Sequence, residues 1–309
     1  MNHPQPGLFV AESSEHIHVE WDLDADVADE VAIGAVAAAR RDVTFLGGPN
    51  VVWGIAPDLW RRWSEGAIPA DVISFRGVPG AGQDVVPVTQ SSLWLWCHGG
   101  DYAAVWQAVS AAVAALSAVA TVVRHVRAYK APDSRDPTGF IDGTENPRLD
   151  EALTVALIPQ GSPGASGSPI LVQKWVHDLA AFEGLSIAAQ QEVIGRTKPD
   201  SIQLSPRVMP PTSHVSRNTI TDESGDERHI YRLNTPFADV HEVGTVFIGA
   251  CADPSVTDTM LNRMFGAAPD GLRDALTEFS APVSGSYYFA PAMEDLTAVF
   301  GSLADGDGD

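Results

Sequence analysis

Basic residues are scarce. Lysine and arginine number 19 against 40 aspartates and glutamates, a formal charge of −21. Nucleic-acid phosphates need a basic footprint, so nonspecific nucleic-acid binding is excluded as a leading function. Docking on an anionic membrane surface is disfavoured for the same reason. Cysteine is nearly missing: Cys97 and Cys251 are the only two, which rules out a disulfide-rich scaffold and a cysteine-built zinc cage. Long apolar runs are missing too. The longest, near Ala111–Val123, is broken by Ser117 and Thr121 and is too short to span a bilayer. MNHPQPGLFV at the start has no basic segment and no long apolar stretch, and Arg40-Arg41 sits too deep for a twin-arginine signal, so a cytoplasmic protein is expected. There is no G-x-S-x-G and no H-E-x-x-H. Gly77–Gly82 (GVPGAG) has neither the dinucleotide-binding order nor a P-loop lysine, and reads as a plain loop.

What remains is a globular composition of 309 residues, 45% hydrophobic and 19% charged, enough for one large domain or two of about 150 residues. Two stretches share a design. Leu93–Cys97 (LWLWC) reads as a buried strand, Asp101 as an N-cap, the residues to about Ser117 as a helix, and Ala120–Tyr129 as a strand. Later, Thr245–Cys251 reads as a strand, Asp253-Pro254-Ser255 as a turn, Val256–Phe265 as a helix and Val283–Phe289 as a strand. The fronts of the halves match as well: strand His16–Leu23 then helix Val27–Ala39, and strand Ile170–Val176 then helical residues through Ile194. The expected fold is α+β, two ferredoxin-like halves, each an antiparallel four-stranded sheet with helices on one face. The join falls in Ala131–Thr138 (APDSRDPT), giving domains 1–131 and 132–309.

Among nine histidines, His16 and His18 share a strand face with Glu20. Such a face can bind a metal, but a half-exposed strand with polar residues outward is the preferred reading. The segment Gly139–Pro147 (GFIDGTENP) sets Asp142 between an apolar pair and a glycine turn, the setting of a desolvated carboxylate with a raised pKa, or of an ordinary Asp-Gly turn. Downstream come Ser213-His214-Val215-Ser216-Arg217 and Ile230–Phe237 (IYRLNTPF). On an extended chain Arg232 and Asn234 point to one side and Tyr231 to the other.

GFIDGTENP followed by His214 and Arg232-x-Asn234 resembles the dye-decolourising haem peroxidases, in their compact bacterial subgroup. The resemblance runs over nearly the whole chain and takes in Gly195-Arg196 and Pro87–Leu93 (PVTQSSL); it departs at Ser92, where the family often has an acid. It implies one haem b in the C-terminal half. It also implies His214 as iron ligand, Asp142, Arg232 and Asn234 on the distal side, and Arg196 near the haem propionates. Gly143 and Thr144 would line the haem edge. Phe247, Met260 and Met264 would contact the macrocycle or simply pack the core. Asp274, in GLRDAL, would be either a carboxylate behind His214 or a helix-surface residue.

The implied activity is reduction of hydrogen peroxide coupled to one-electron oxidation of dyes, phenols or other small reductants. Asp142 would move the peroxide proton and Arg232 would supply fixed positive charge. Tyr231 and Trp175 are candidate electron relays, with packing as their simpler role. Competing readings are chlorite decomposition or porphyrin processing on a related fold, a noncatalytic haem carrier, and a non-haem metalloprotein using His16 and His18. A homo-oligomer is compatible with the resemblance. Cargo status in an encapsulin shell is disfavoured, because Phe300–Asp309 (FGSLADGDGD) ends acidic and lacks a long linker.

Overall fold

The computed structural model describes residues 2–10, 12–45, 48–65, 68–79 and 85–303. Residues 80–82 of GVPGAG and the acidic residues 304–309 lie outside these. The first half holds β1 (Glu15–Leu23), β2 (Asn50–Ile55), β3 (Leu93–Gly99) and β4 (Ala120–Tyr129). All pair antiparallel, in the order β4-β1-β3-β2. The second half holds β5 (Ser168–His177), the short hairpin β6 (Ile220–Thr221) and β7 (Glu227–Arg228), then β8 (Tyr231–Arg232), β9 (Thr235–Ala238), β10 (Val243–Ala250), β11 (Ser280–Pro282) and β12 (Ser286–Ala290). Its main path runs β12-β5-β10-β8, with β9 also on β10 and β11 on β5. Taking β5, β8 with β9, β10 and β12 as first to fourth, both halves have the order fourth-first-third-second of a ferredoxin-like sheet. β2 and β12 pair at Phe289 and Ile55, which joins the two sheets.

Local chemistry explains the elements. The helix Tyr102–Leu116 starts where the Asp101 carboxylate accepts from the backbone N–H of Ala103 and Ala104. It buries Val105, Ala108, Val109, Ala112 and Leu116, a stripe at helical spacing in which each large side chain is worth about 1.5–3 kcal/mol. The helix Pro254–Met264 is capped by Asp253, with proline in its first turn.

Three apolar clusters define the layers. Trp21, Leu93, Leu95 and Cys97 pack under the helices Asp29–Phe45 and Tyr102–Leu116. Trp94, Trp96, Val126 and Ala128 turn the other way and meet Ile170, Val172, Val246 and Ile248 of the second sheet. Leu171 and Trp175, on the far side of that second sheet, face Met260, Leu261 and Met264. The sheets are therefore stacked between outer helices, and strands such as β3 are buried on both faces. This overturns one expectation: His16, His18 and Glu20 are buried at 4%, 3% and 4% exposure, not outward. Their face of β1 points into the layer between the sheets. Among the described residues, no helix is long and apolar enough to cross a membrane.

Candidate active site

The layer between the second sheet and its helices is hollow. A cavity of about 220 Å³ opens there. Alternation along β5 turns Gln173, Trp175 and His177 into it, and β10 adds Thr245 and Phe247 from directly opposite positions. Met260 and Met264 enter from the helix Pro254–Met264. Of the residues named through the family resemblance, all but Asp274 and Tyr231 line this cavity, namely Asp142, Gly143, Thr144, Trp175, Arg196, His214, Arg232, Asn234, Phe247, Met260 and Met264, whereas His16 and His18 lie outside it.

His214 opens a short helix, His214–Asn218, capped by Ser213. Its Nδ1 lies 2.7 Å from Oδ2 of Asp274, whose side chain is completely buried. A carboxylate only accepts, so this nitrogen carries the proton. The Asn218 amide also donates to Asp274, at 3.3 Å, and to the His214 carbonyl, at 2.8 Å. The other carboxylate oxygen accepts from the Leu276 N–H at 2.9 Å. Asp274 is thus no helix-surface residue. Nε2 of His214 has no hydrogen-bond partner among the described residues, which leaves its lone pair for the cavity.

Asp142 is placed by its loop. Gly143 takes φ +80°, a conformation that glycine adopts without strain. Asp142 Oδ1 accepts from the Gly143 N–H at 2.8 Å and the Asn234 amide at 3.2 Å. Arg232 is fixed through its backbone: its N–H donates to Asn146 Oδ1 at 2.8 Å, and its carbonyl accepts from the Asn146 amide at 2.6 Å. Arg232 Nε and Asn234 Oδ1 are buried and unpartnered. Burial pulls the Arg232 guanidinium below its ordinary pKa, and Asp142 acts in the opposite direction. Arg196 is lowered by burial and then by the charge of Arg232. Its guanidinium donates to the Ser201 carbonyl at 2.5 Å and pairs with Glu145. The Thr144 hydroxyl bonds that of Ser201 at 2.8 Å.

Several lining residues escaped the sequence reading. Asp136 accepts from the Thr138 N–H and hydroxyl at 2.9 and 2.5 Å, and burial raises its pKa to about 6. It lies six positions before Asp142, in the segment read as a linker. Gln173 is fully buried, with both amide atoms unpartnered; a glutamine amid the apolar run of β5 was the available signal. His177 bonds Ser280 and Thr245, and burial lowers it to about 4. The two relay candidates separate. Trp175 lines the cavity and stacks on Phe265. Tyr231 is buried in the apolar layer between the sheets, against Phe9. His16 and His18 form no metal site, since no group of three or more potential ligands occurs among the described residues.

Residues 133–295 match the family model described as Dyp-type peroxidase, C-terminal. The chain is 37% identical over 250 residues to a dye-decolorizing peroxidase of Mycobacterium tuberculosis, covering 80% of this chain and 74% of that protein. A DypB variant of Rhodococcus jostii RHA1, solved in complex with heme, superposes with a TM-score of 0.84 at 33% identity, over 93% of this chain and 96% of that one. The encapsulated DyP-type peroxidase of Mycobacterium smegmatis gives a TM-score of 0.87 at 32% identity, over 96% and 98%. That neighbour does not fit the expectation against shell cargo, which rested on terminal residues mostly outside the described ones.

Proposed function

The chain belongs to the Dyp-type peroxidase family, and within it we propose that haem occupies the large cavity with His214 as its axial ligand and Asp142, Arg232 and Asn234 serving peroxide. The protein is a haem b peroxidase that uses hydrogen peroxide to oxidise dyes, phenols or other one-electron donors. Chlorite decomposition, porphyrin processing and passive haem carriage are not favoured.

The residues present fit a haem. Phe247, Met260 and Met264 offer an apolar surface, while Arg196 and Thr144 offer polar contacts for a carboxylate-bearing edge. The buried, unpartnered atoms of Arg232 and Asn234 are polar groups that want a ligand. The observation that carries the reading is the His214–Asp274 pair, which fixes the imidazole tautomer and leaves Nε2 to ligate. Asp274 also gives that imidazole anionic character.

When bound, haem would supply the iron at which peroxide is reduced and the oxidising equivalents that the donors' electrons then quench. The protein's part is proton and charge control. Asp142 Oδ1 is tied to Gly143 and Asn234, and Oδ2 is left to take a proton from one peroxide oxygen and return it to the other. Arg232 stays cationic and stabilises negative charge on the departing oxygen. Asn234 holds the carboxylate in place. Phe140 and Ile141, next to Asp142 in the chain, add apolar surface to the same cavity.

Other readings rest on less. The division into domains 1–131 and 132–309 is supported by the repeated strand order. Two free, buried cysteines suit a reducing, cytoplasmic setting. Val122 and Val123, half exposed on edge strand β4, suit a homo-oligomer. Shell cargo is also a reading to test, since one similar protein is encapsulated.

The test is the absorption spectrum of haem-loaded His214→Ala. Loss of the histidine-ligated Soret spectrum is expected. An unchanged spectrum would make another histidine the ligand.

A further inference from the structure

The buried face of β1 meets an unusual partner. In direct register, His16 lies opposite His98, His18 opposite Trp96 and Glu20 opposite Trp94 of β3. Gly54 of β2 sits on the other side of Trp94. A Cβ there would fall 2.8 Å from both the Trp94 ring and Tyr288 Cβ. Glycine therefore lets the rings of Trp94 and Tyr288 stack across a strand, 5.8 Å between centroids. Trp94 stacks in turn with Trp96 at 6.3 Å, and His18 bridges both at 6.1 and 5.9 Å. The result is a continuous buried column. At one end, His16 and Trp96 line a second cavity of about 90 Å³, walled also by Asp142, Gly143, Arg232 and Asn234. Those four residues line the large cavity as well. At the other end, the Tyr288 hydroxyl donates to Glu20 at 2.7 Å, and Glu20 pairs with the partly exposed Arg124.

The three oxidisable rings differ in where a proton can go. The Trp96 indole N–H donates to His16 Nδ1 at 3.1 Å. Burial lowers His16 to about 4, so this imidazole is neutral and accepts. The Trp94 indole N–H is buried without a partner. Tyr288 has a carboxylate in contact, and burial raises the phenol well above its ordinary pKa, so it loses an electron readily only with its proton. A layer meant for packing alone would be cheaper without a carboxylate and three histidines inside it.

We propose that Trp96, Trp94 and Tyr288 form an internal electron relay to the haem, with Tyr288 as the resting place of the oxidising equivalent and Glu20 as its proton acceptor. One electron passes from Tyr288 through Trp94 and Trp96 to the peroxide-oxidised haem. The phenolic proton moves to Glu20, leaving a neutral tyrosyl radical beside a neutral acid. An external donor later returns the electron, and Glu20 returns the proton. Trp94, with no proton acceptor, holds positive charge only in passing, because an uncompensated buried charge is costly. Arg124 stays solvated when Glu20 is neutralised. The relay rests on the haem and distal reading above, since its near end abuts Asp142 and Arg232.

The experiment is electron paramagnetic resonance on haem-loaded protein frozen after one equivalent of peroxide without donor. Wild type is prepared with ordinary and with ring-deuterated tyrosine, beside Tyr288→Phe, Trp94→Phe and Glu20→Gln. Samples are matched on Soret absorbance, and the peroxide-driven Soret change is recorded in each. The expected result is a radical signal that narrows on deuteration and falls at least tenfold in each variant, with the Soret change intact. Glu20→Gln keeps the ring packing, so it answers even if an aromatic variant fails to fold. A normal Soret change with no deuterium narrowing, or with the same signal in Tyr288→Phe and Glu20→Gln, overturns the relay alone. A wild type without any Soret change overturns the relay together with the distal reading.

Discussion

Replacing Asp274 by asparagine probes the histidine side of the cavity. Asp274 Oδ2 accepts from His214 Nδ1 at 2.7 Å, and Oδ1 accepts from the Leu276 N–H at 2.9 Å. Asparagine keeps the shape, and its carbonyl can still serve Leu276. Its NH₂ group then faces the His214 N–H, donor against donor. The loss is one charge-assisted hydrogen bond, worth about 1.5–3 kcal/mol. With His214 as the proposed axial ligand, that bond would give the imidazole anionic character and favour ferric over ferrous iron. If all of it appears in that difference, the one-electron scale of 59 mV per factor of ten converts it to a rise of about 60–130 mV in reduction potential. Spectroelectrochemical titration of haem-loaded wild type and Asp274→Asn reads the shift directly. A change below about 20 mV, less than half a kcal/mol on the same scale, with haem retained, would refute the reasoning. Asp274 would then be a cap for the turn Ala275–Glu278 and nothing more.

Arg232→Leu, compared with wild type at equal haem content, is expected to slow the peroxide-driven Soret change by about 10²–10³ in stopped flow, the cost of one preorganised charge-stabilising donor; a slowing under about tenfold would place that charge elsewhere. Asp136 has its folded pKa raised to about 6 from 3.8, so the folded state binds the extra proton and stability falls as pH rises from about 4 to 6. Asp136→Asn should remove up to about 3 kcal/mol of that slope, and parallel urea titrations of variant and wild type across this range would contradict the assignment. Gln173→Leu removes an amide with no protein partner and should stabilise the haem-free chain by about 1–3 kcal/mol; a lower denaturant midpoint would show that the amide is already satisfied. With a charge of −21, salt at neutral pH should raise kcat/KM for an anionic dye and lower it for a cationic one, because ions screen the surface field over about 10 Å at 0.1 M. Equal responses would point to a local basic patch instead.

The fold was legible where local pattern suffices. Asp101 before an apolar stripe marks a helix start in any context, and β4 was read to its ends, Ala120 and Tyr129, whereas Asp253-Pro254-Ser255 was read as a turn although the helix already begins at Pro254. The His16-x-His18-x-Glu20 face was misread for a definite reason. Alternation with Ile17, Val19 and Trp21 shows that β1 has two faces. It does not show what covers the second, which here is a sheet built from residues more than 100 positions later. For the candidate site, the motif residues chosen from the sequence, in GFIDGTENP, His214 and Arg232-x-Asn234, do meet at one cavity. Asp136 and Gln173 were not, because burial alone makes an acid or an amide notable and burial is a property of the assembled layers.

The repeated strand order makes the contrast between the halves informative. In the first, the side of the sheet facing the helices carries Trp21, Leu93, Leu95 and Cys97, and with Val36, Val105 and Val109 it closes into a continuous apolar core. In the second, the corresponding layer carries Gln173, Trp175, His177, Thr245 and Phe247, and it stays open. A glutamine amide, an imidazole and a hydroxyl cannot interdigitate with helix side chains as leucines do without leaving polar atoms unpaired. His177 and Thr245 satisfy each other, while Gln173 does not. The same architecture thus yields a packed core in one copy and a ligand-sized space in the other, through a few polar residues on two adjacent strands. The first copy keeps its core packed, the second gives up core packing for a space that haem would fill on the reading proposed above, and the aromatic column occupies the layer between the two sheets.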